Sequence, residues 1–218
     1  MKTLLTALLL IFTLSAFAQK SDSTIFRSNN IRDRFLERYT VLKSNKNIKN
    51  GFAEILFNQK QIASGYYQNN ERVNQWKFYF LSGEVEQIYN YSTKKVEFEF
   101  ESKSTTYHLE NVKEGDEIIY PVKIGGAYGA ILVMNKISSP VTDLRNKSGK
   151  YQVSNSYYLD ELGNVTKLEQ KVVGSNYSNT KIIDRNLFRP EELACNPGYV
   201  NGKPVKSTIT ISHHLTIN

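Results

Sequence analysis

Between residues 51 and 100, short aromatic-rich runs alternate with polar turns. GFAEILF, IASGYYQ, WKFYFL, VEQIYNYS and VEFEFES are each of strand length. The segments between them, NQKQ, NNERVNQ, SGE and TKK, carry the Asn, Gly, Ser and Lys of turns. The pattern predicts an antiparallel meander. Phe52, Ile55, Phe57, Tyr67, Trp76, Phe78, Phe80 and Tyr91, or their neighbours, share one face. The meander also repeats itself: Phe57 matches Phe80, Ile62 matches Val85, and Tyr67 roughly matches Tyr91. A short hairpin repeat cannot bury its face alone and must stack on neighbours.

On either side the pattern changes. Residues 19–30 are polar and read as a lead-in that extends to residue 46. In IRDRFLERYTVL (31–42), Ile31, Phe35 and Tyr39 recur at helical spacing, while Tyr39, Thr40 and Val41 favour a strand; both readings stay open. Residues 101–120 read as a polar connection, with a boundary near residue 117. AYGAILVMNKI (127–137) reads as a helix, entered through Gly125-Gly126 and ended by Ser138-Ser139-Pro140. A second short helical piece is expected over 140–147. From Gly149 the period becomes two: Tyr151, Val153, Asn155, Tyr157 and Leu159 alternate with polar residues. Residues 160–164 make a turn, and 165–173 a return strand. Residues 180–195 read as helical with a break at Pro190, and 205–217 as a last strand. The fold class read from this order is α+β. A β-meander over 47–116 is followed by a smaller unit over 117–218, with a three-stranded antiparallel sheet and helices.

Composition narrows the function. The 14 Tyr and 11 Phe against one Trp favour β-structure. A single Cys, Cys195, excludes an intramolecular disulfide, a zinc ribbon and a CxxC redox pair. Residues 1–18 (MKTLLTALLLIFTLSAFA) have a basic start, an apolar stretch and a small-x-small end before Gln19, the layout of a cleavable secretory signal. The expected location is therefore periplasmic; an uncleaved inner-membrane anchor is the alternative. The net charge of +7 is scattered, with no basic run beyond Lys94-Lys95, so it is read as solubility rather than as a nucleic-acid surface.

Two stretches resemble known families. NGFAEILFNQKQIASGYYQNNERVNQWKFYFLSGEVEQIYNYSTKK, within residues 47–96, resembles MORN-variant (YwqK-type) repeats, with Trp76, Tyr79, Gly83 and Tyr91 on the family pattern. Ile124-Gly125-Gly126, Ser139-Pro140, the alternating strand from Gly149, the turn from Asp160 to Val165, and PGYVNGKPV at 197–205 together resemble a TonB C-terminal domain over 120–217. The Trp expected before Pro-Gly is replaced by Cys195-Asn196, and no Pro-rich spacer precedes the domain. The first resemblance implies an interaction or spacer module. The second implies that the final strand is an edge which accepts an extended peptide, in that family a segment of an outer-membrane transporter.

The candidate site is thus residues 205–215, with Val205, Ser207, Ile209, Ile211 and His213 on one side and no charge between Ser207 and Ser212. Its expected occupant is an envelope protein or peptide, or a second copy of the chain as a homodimer edge. The repeat aromatics Trp76, Tyr79 and Tyr91 are the rival surface for an envelope scaffold. An anchored energy transducer is the third reading.

Catalysis is not expected. There is no G-x-S-x-G and no H-E-x-x-H, and the pairs Asp116-Glu117 and Glu191-Glu192 fall in polar runs. The G-G-x-x-G at 125–129 lacks the Lys-Ser/Thr ending of a phosphate loop and reads as a helix-entry turn. Adjacent His213 and His214 on a strand face opposite sides and cannot hold one metal together. No cofactor, metal or nucleic-acid partner is expected. Mass spectrometry of the chain recovered from the periplasmic fraction should give a mature start at Gln19; an intact Met1 in the inner membrane would establish the anchored alternative.

Overall fold

The computed structural model describes residues 23–32, 34–134, 144 and 147–217. The expected signal at 1–18 and most of the expected helical piece at 140–147 lie outside the described residues. Seven strands follow one another as a single antiparallel meander: β1 (Thr24–Arg32), β2 (Phe35–Leu42), β3 (Lys49–Phe57), β4 (Lys60–Gln68), β5 (Glu71–Tyr79), β6 (Val85–Asn90) and β7 (Lys95–Glu99). The segment 31–42, open between helix and strand, is the end of β1 and the whole of β2. The meander therefore begins inside the expected lead-in.

Turn chemistry sets the meander's register. Asn58 and Gln59 (φ 48° and 64°) join β3 to β4, and Asn69 and Asn70 (φ 51° and 71°) join β4 to β5. Two successive positive φ values match the right-handed twist of the flanking strands, and Asn tolerates them better than most residues. The expected turn NNERVNQ is thus only two residues long. The rest of it is strand, with Asn74 (φ 56°) in a bulge where the β4–β5 register shifts.

One face of the meander is apolar. Phe35, Ala53, Ile55, Ile62, Ala63, Tyr67, Trp76, Phe78 and Tyr89 form its buried core, joined by Ile124 from beyond the meander. Phe52 lies on the opposite, exposed face, edge-on to Tyr66 at 5.8 Å.

The remaining chain is also mostly β, and here the α+β expectation is corrected. A five-stranded antiparallel sheet runs, in spatial order, through residues 177–183, 165–174, 149–159, 207–217 and 105–109. It is built from β8 (Thr105–Leu109), β11 (Gly149–Leu159), β12 (Val165–Gly174), β13 (Tyr177–Ile183) and β17 (Ser207–Ile217). Short ladders join β9 (Ile118–Ile119), β15 (Gly198–Val200) and β16 (Lys203–Val205), and pair β10 (Val122–Lys123) with β14 (Cys195–Asn196). Among the described residues there is one α-helix, α1 (Gly126–Met134), where a helix was read at 127–137.

The expected second helix at 180–195 does not form. Thr180, Ile182 and Ile183 are β-branched and continue β13 against β12. Asp184 then caps a single 3₁₀ turn by accepting from the Asn186 N–H, and Pro190 opens a second one. The expected three-stranded sheet gains β13 from this segment and β8 from before residue 117.

Helix α1 and its flanking segments bridge two separate cores. Val122, Tyr128 and Ala194 pack on the meander core, while Val133 at the far end of α1 packs among Tyr157, Leu168, Ile183 and Ile209. The alternating residues Tyr151, Val153, Asn155, Tyr157 and Leu159 are all buried on the side that period two required. Asn155 is tolerated there because the Gln170 amide donates to its Oδ1 at 3.0 Å.

In both sheets an aromatic ring covers a glycine. Tyr151 lies opposite Gly174, and Trp76 lies over Gly65, so closely that a Cβ there would fall 2.4 Å from the indole. Trp76 is fully buried and cannot move aside. Gly65→Ala should cost about 2 kcal/mol by overpacking, read as a lower urea midpoint with an unchanged slope.

Candidate functional site

The terminal strand is not a free edge along its whole length. Ser207 to Ile211 pair with β11 on one side and with Leu109 to Thr105 of β8 on the other. Ser207 and Ile209 are buried, and Ile209 belongs to the core beneath the sheet. Ile211 packs at the margin of that core, while His213 lies beyond the end of β8. Burial, followed by the charge of His214, pushes the His213 imidazole below its usual pKa. Val205 ends β16, one residue before β17. The residues expected to receive a partner strand are thus brought onto one strand, and β8 already covers their first half.

The open edge has moved one strand outward. The Ser212 N–H bonds the Ser104 carbonyl, and the Glu110 N–H bonds the Lys206 carbonyl. With antiparallel alternation, Thr106 and His108 therefore bond inward to β17, and Tyr107 and Leu109 turn their N–H and C=O outward. A groove of about 550 Å³ runs beside this edge, lined by Tyr107, Leu109, Val112, Ile118 and Tyr120 among others. The Tyr107 and Tyr120 rings stack at 4.9 Å, and Val112, Ile119 and Tyr120 are exposed. Sequence reading missed β8 because TTYHL is five residues long and sits between polar runs.

The repeat aromatics divide. Trp76 and Tyr91 meet at 6.1 Å on the buried face. Tyr79 is half-buried elsewhere, with its hydroxyl 3.1 Å from that of Ser64. Trp76 is enclosed and offers no surface to a partner.

Beside Trp76 and Tyr91, between the meander and the segments 123–129 and 189–192, lies a cleft of about 690 Å³. The Arg72 guanidinium stacks on Trp76 at 4.2 Å and donates to the Tyr91 hydroxyl at 2.8 Å. Glu37, itself buried, accepts from Lys49 at 2.6 Å and from the Tyr67 hydroxyl at 2.9 Å. Burial pushes the Tyr67 phenol up to about 12, so it remains a donor.

The junction of the two sheets is polar and enclosed. The Glu86 Oε1 accepts from the Ala127 N–H at 2.8 Å, and the Gln87 Oε1 from the Gly125 N–H at 2.9 Å. The Gln87 amide donates to the Lys123 carbonyl at 3.0 Å and to Glu99 at 2.7 Å. A protein carboxylate therefore fills the start of α1. Gly125-Gly126 is a helix-entry turn, and a Cβ on Gly126 would meet Glu86 Oε2 at 2.6 Å. Burial raises the Cys195 thiol to about 11, which leaves it protonated and unreactive.

No family model, no curated protein and no solved structure matches the chain.

The junction carboxyls make stability depend on pH. Burial raises Glu86, against the Ala127 hydrogen bond. Glu99, exposed overall on the edge strand β7, is lifted to about 7 by desolvation of its carboxyl, against the Gln87 hydrogen bond and with the neighbouring Glu86 charge adding to the effect. A folded pKa above the unfolded value means that the folded state holds the proton more tightly. This stability is complete below pH 4.5 and is lost as pH rises through about 7. Urea midpoints should fall from pH 5 to pH 8, and Glu99→Gln should flatten that part of the profile.

Proposed function

We propose that the protein is an exported, non-catalytic binding protein of the cell envelope that captures an extended segment of a partner protein by β-strand addition. The observation that carries this reading is the outer edge of β8. Tyr107 and Leu109 turn backbone donors and acceptors outward beside a groove of mixed polarity, lined by Val112, Ile118 and Tyr120 together with Glu110 and Asn111, and the strand itself holds no Lys, Arg, Asp or Glu. An incoming strand would continue the five-stranded sheet. Main-chain bonds would supply affinity, and alternate side chains entering the groove against Ile118 and Tyr120 would supply selection.

The TonB-like resemblance supports the same chemistry, one strand further in. It places a partner strand on β17, where this chain lays its own β8 along Ser207 to Ile211. The incoming segment is therefore read as adding to β8 and leaving β17 in the core. The signal-like residues 1–18 support export. A scaffold that binds through the repeat aromatics is disfavoured, since Trp76 is enclosed.

Cross-linked capture from an envelope extract tests the site. Val112→Lys and Tyr120→Lys both change exposed groove residues without touching the core. Each should weaken capture at least tenfold, with an unchanged circular dichroism spectrum. Ile182→Lys, on the exposed part of β13 at the opposite edge, should leave capture intact. Undiminished capture by both groove variants, or its loss on Ile182→Lys, would overturn the assignment.

A further inference from the structure

The cleft beside Trp76 holds two cations without carboxylate partners. Arg72 projects from β5, stacked between Trp76 and Tyr91, and its guanidinium donates to the Tyr91 hydroxyl, a neutral group. Lys123 projects from β10 and is 6% exposed. Its ammonium donates only to main-chain carbonyls, of Ile124 at 2.8 Å and Ala194 at 3.3 Å. Both residues line the same cleft.

Most of the other charges there are engaged elsewhere, and the exposed Glu71 also borders the cleft. Glu37 is held by Lys49 and Tyr67, and Glu191 and Glu192 face Arg189 at 3.5 and 3.7 Å. Among the described residues, neither Arg72 nor Lys123 forms an ion pair. A buried charge is costly unless it is paired, and two like charges sharing one enclosure raise that cost. Burial lowers the Lys123 pKa and the Arg72 charge works in the same direction, against the opposing pull of Cys195 and Glu192, so the two cations are near enough to repel.

Part of the remaining wall is apolar, while Asn29, Asn70 and Glu71 also line it. Ile55, Ile62, Ala63, Phe78 and Tyr128 face the same space. A volume of about 690 Å³ lies in the range of small-ligand sites.

We propose that this cleft binds an amphipathic monoanion, a carboxylate-type headgroup on an apolar chain or ring, with the headgroup between Arg72 and Lys123 and the body along Ile55, Ile62 and Phe78. The guanidinium offers a planar fork to a carboxylate, and the ammonium supplies the second charge. The stacked rings fix the fork before the ligand arrives, which lowers the entropy lost on binding. This site lies in the other sheet from the β8 edge and stands independently of strand addition.

The chain's single tryptophan, Trp76, reports on it directly, because Arg72 sits on its ring. Decanoate should change the Trp76 emission saturably, and calorimetry should give the matching affinity. Decanol, with the same chain and no charge, should bind at least tenfold more weakly, as should inorganic phosphate. Arg72→Met and Lys123→Met should each weaken decanoate binding at least tenfold by calorimetry, while Val112→Lys should not. Lys123→Met removes a buried charge and keeps the side-chain length, so it remains a folded test if Arg72→Met does not fold. Equal binding of decanol or phosphate, full affinity in Lys123→Met, or no saturable binding of decanoate would overturn the proposal.

Discussion

The arrangement of the molecule depends on two side chains of β6. Gln87 is completely enclosed and uses both ends of its amide: the oxygen takes the Gly125 N–H, and the nitrogen gives to the Lys123 carbonyl and to Glu99. Glu86, one residue earlier, takes the Ala127 N–H at the opening of α1. A helix start leaves several N–H groups unbonded, and burying it without acceptors would cost about 1–3 kcal/mol for each group. The meander supplies those acceptors, so the helix can begin only where β6 presents them. This fixes the β10 segment against the meander, delivers Lys123 into the cleft, and sends Val133 at the other end of α1 into the core of the second sheet. The two Gly at 125 and 126, with φ 113° and 62°, are there to let the chain turn this sharply against Glu86.

The same junction shows what a sequence can and cannot disclose. Most of strands β3 to β7 and the hairpin of β11 and β12 were legible because each carries its period and its turn residues within a few positions, whereas β1 and β2 fell in a segment read as a lead-in or left open. The hairpin loop at 160–164 even carries its own lock, since Asp160 accepts the Leu162 and Asn164 N–H groups. The cap on α1 joins residues about forty positions apart, and no local pattern marks it. The segment 180–195 failed for a related reason. Its apolar residues fit a helical face, but β12 offered an unpaired edge, and β-branched Ile182 and Ile183 take a strand readily where one is available. Tertiary supply of partners overrode the local reading.

The cleft was illegible for the same cause. Trp76 and Tyr91 stood out as aromatics, but Arg72 lay in a run read as a turn, and Lys123 in a short apolar stretch far along the chain. Their relation exists only after β5 and β10 are brought together. A lone Lys between Val122 and Ile124 was the one available signal, because a charge flanked by apolar residues before a Gly-Gly turn must either reach solvent or be buried at a cost. Here it is buried.

The terminal strand shows how a correct pattern supports more than one topology. No Lys, Arg, Asp or Glu occurs in STITISHHLTI, and an uncharged strand is what a receptive edge looks like. It is equally what an interior strand looks like, and β17 is interior along β8. The other outermost strands of the two large sheets carry charge: β1 has Arg27, β7 has Lys95 and Glu97, and β13 has Lys181. Strand β8 alone among the four terminates its sheet with TTYHL, without a guarding charge and with a groove along its side. A lack of charge acquires meaning only once the number of partners on each strand is known. Counting partners moves the exception from the last strand of the chain to the short one beside it.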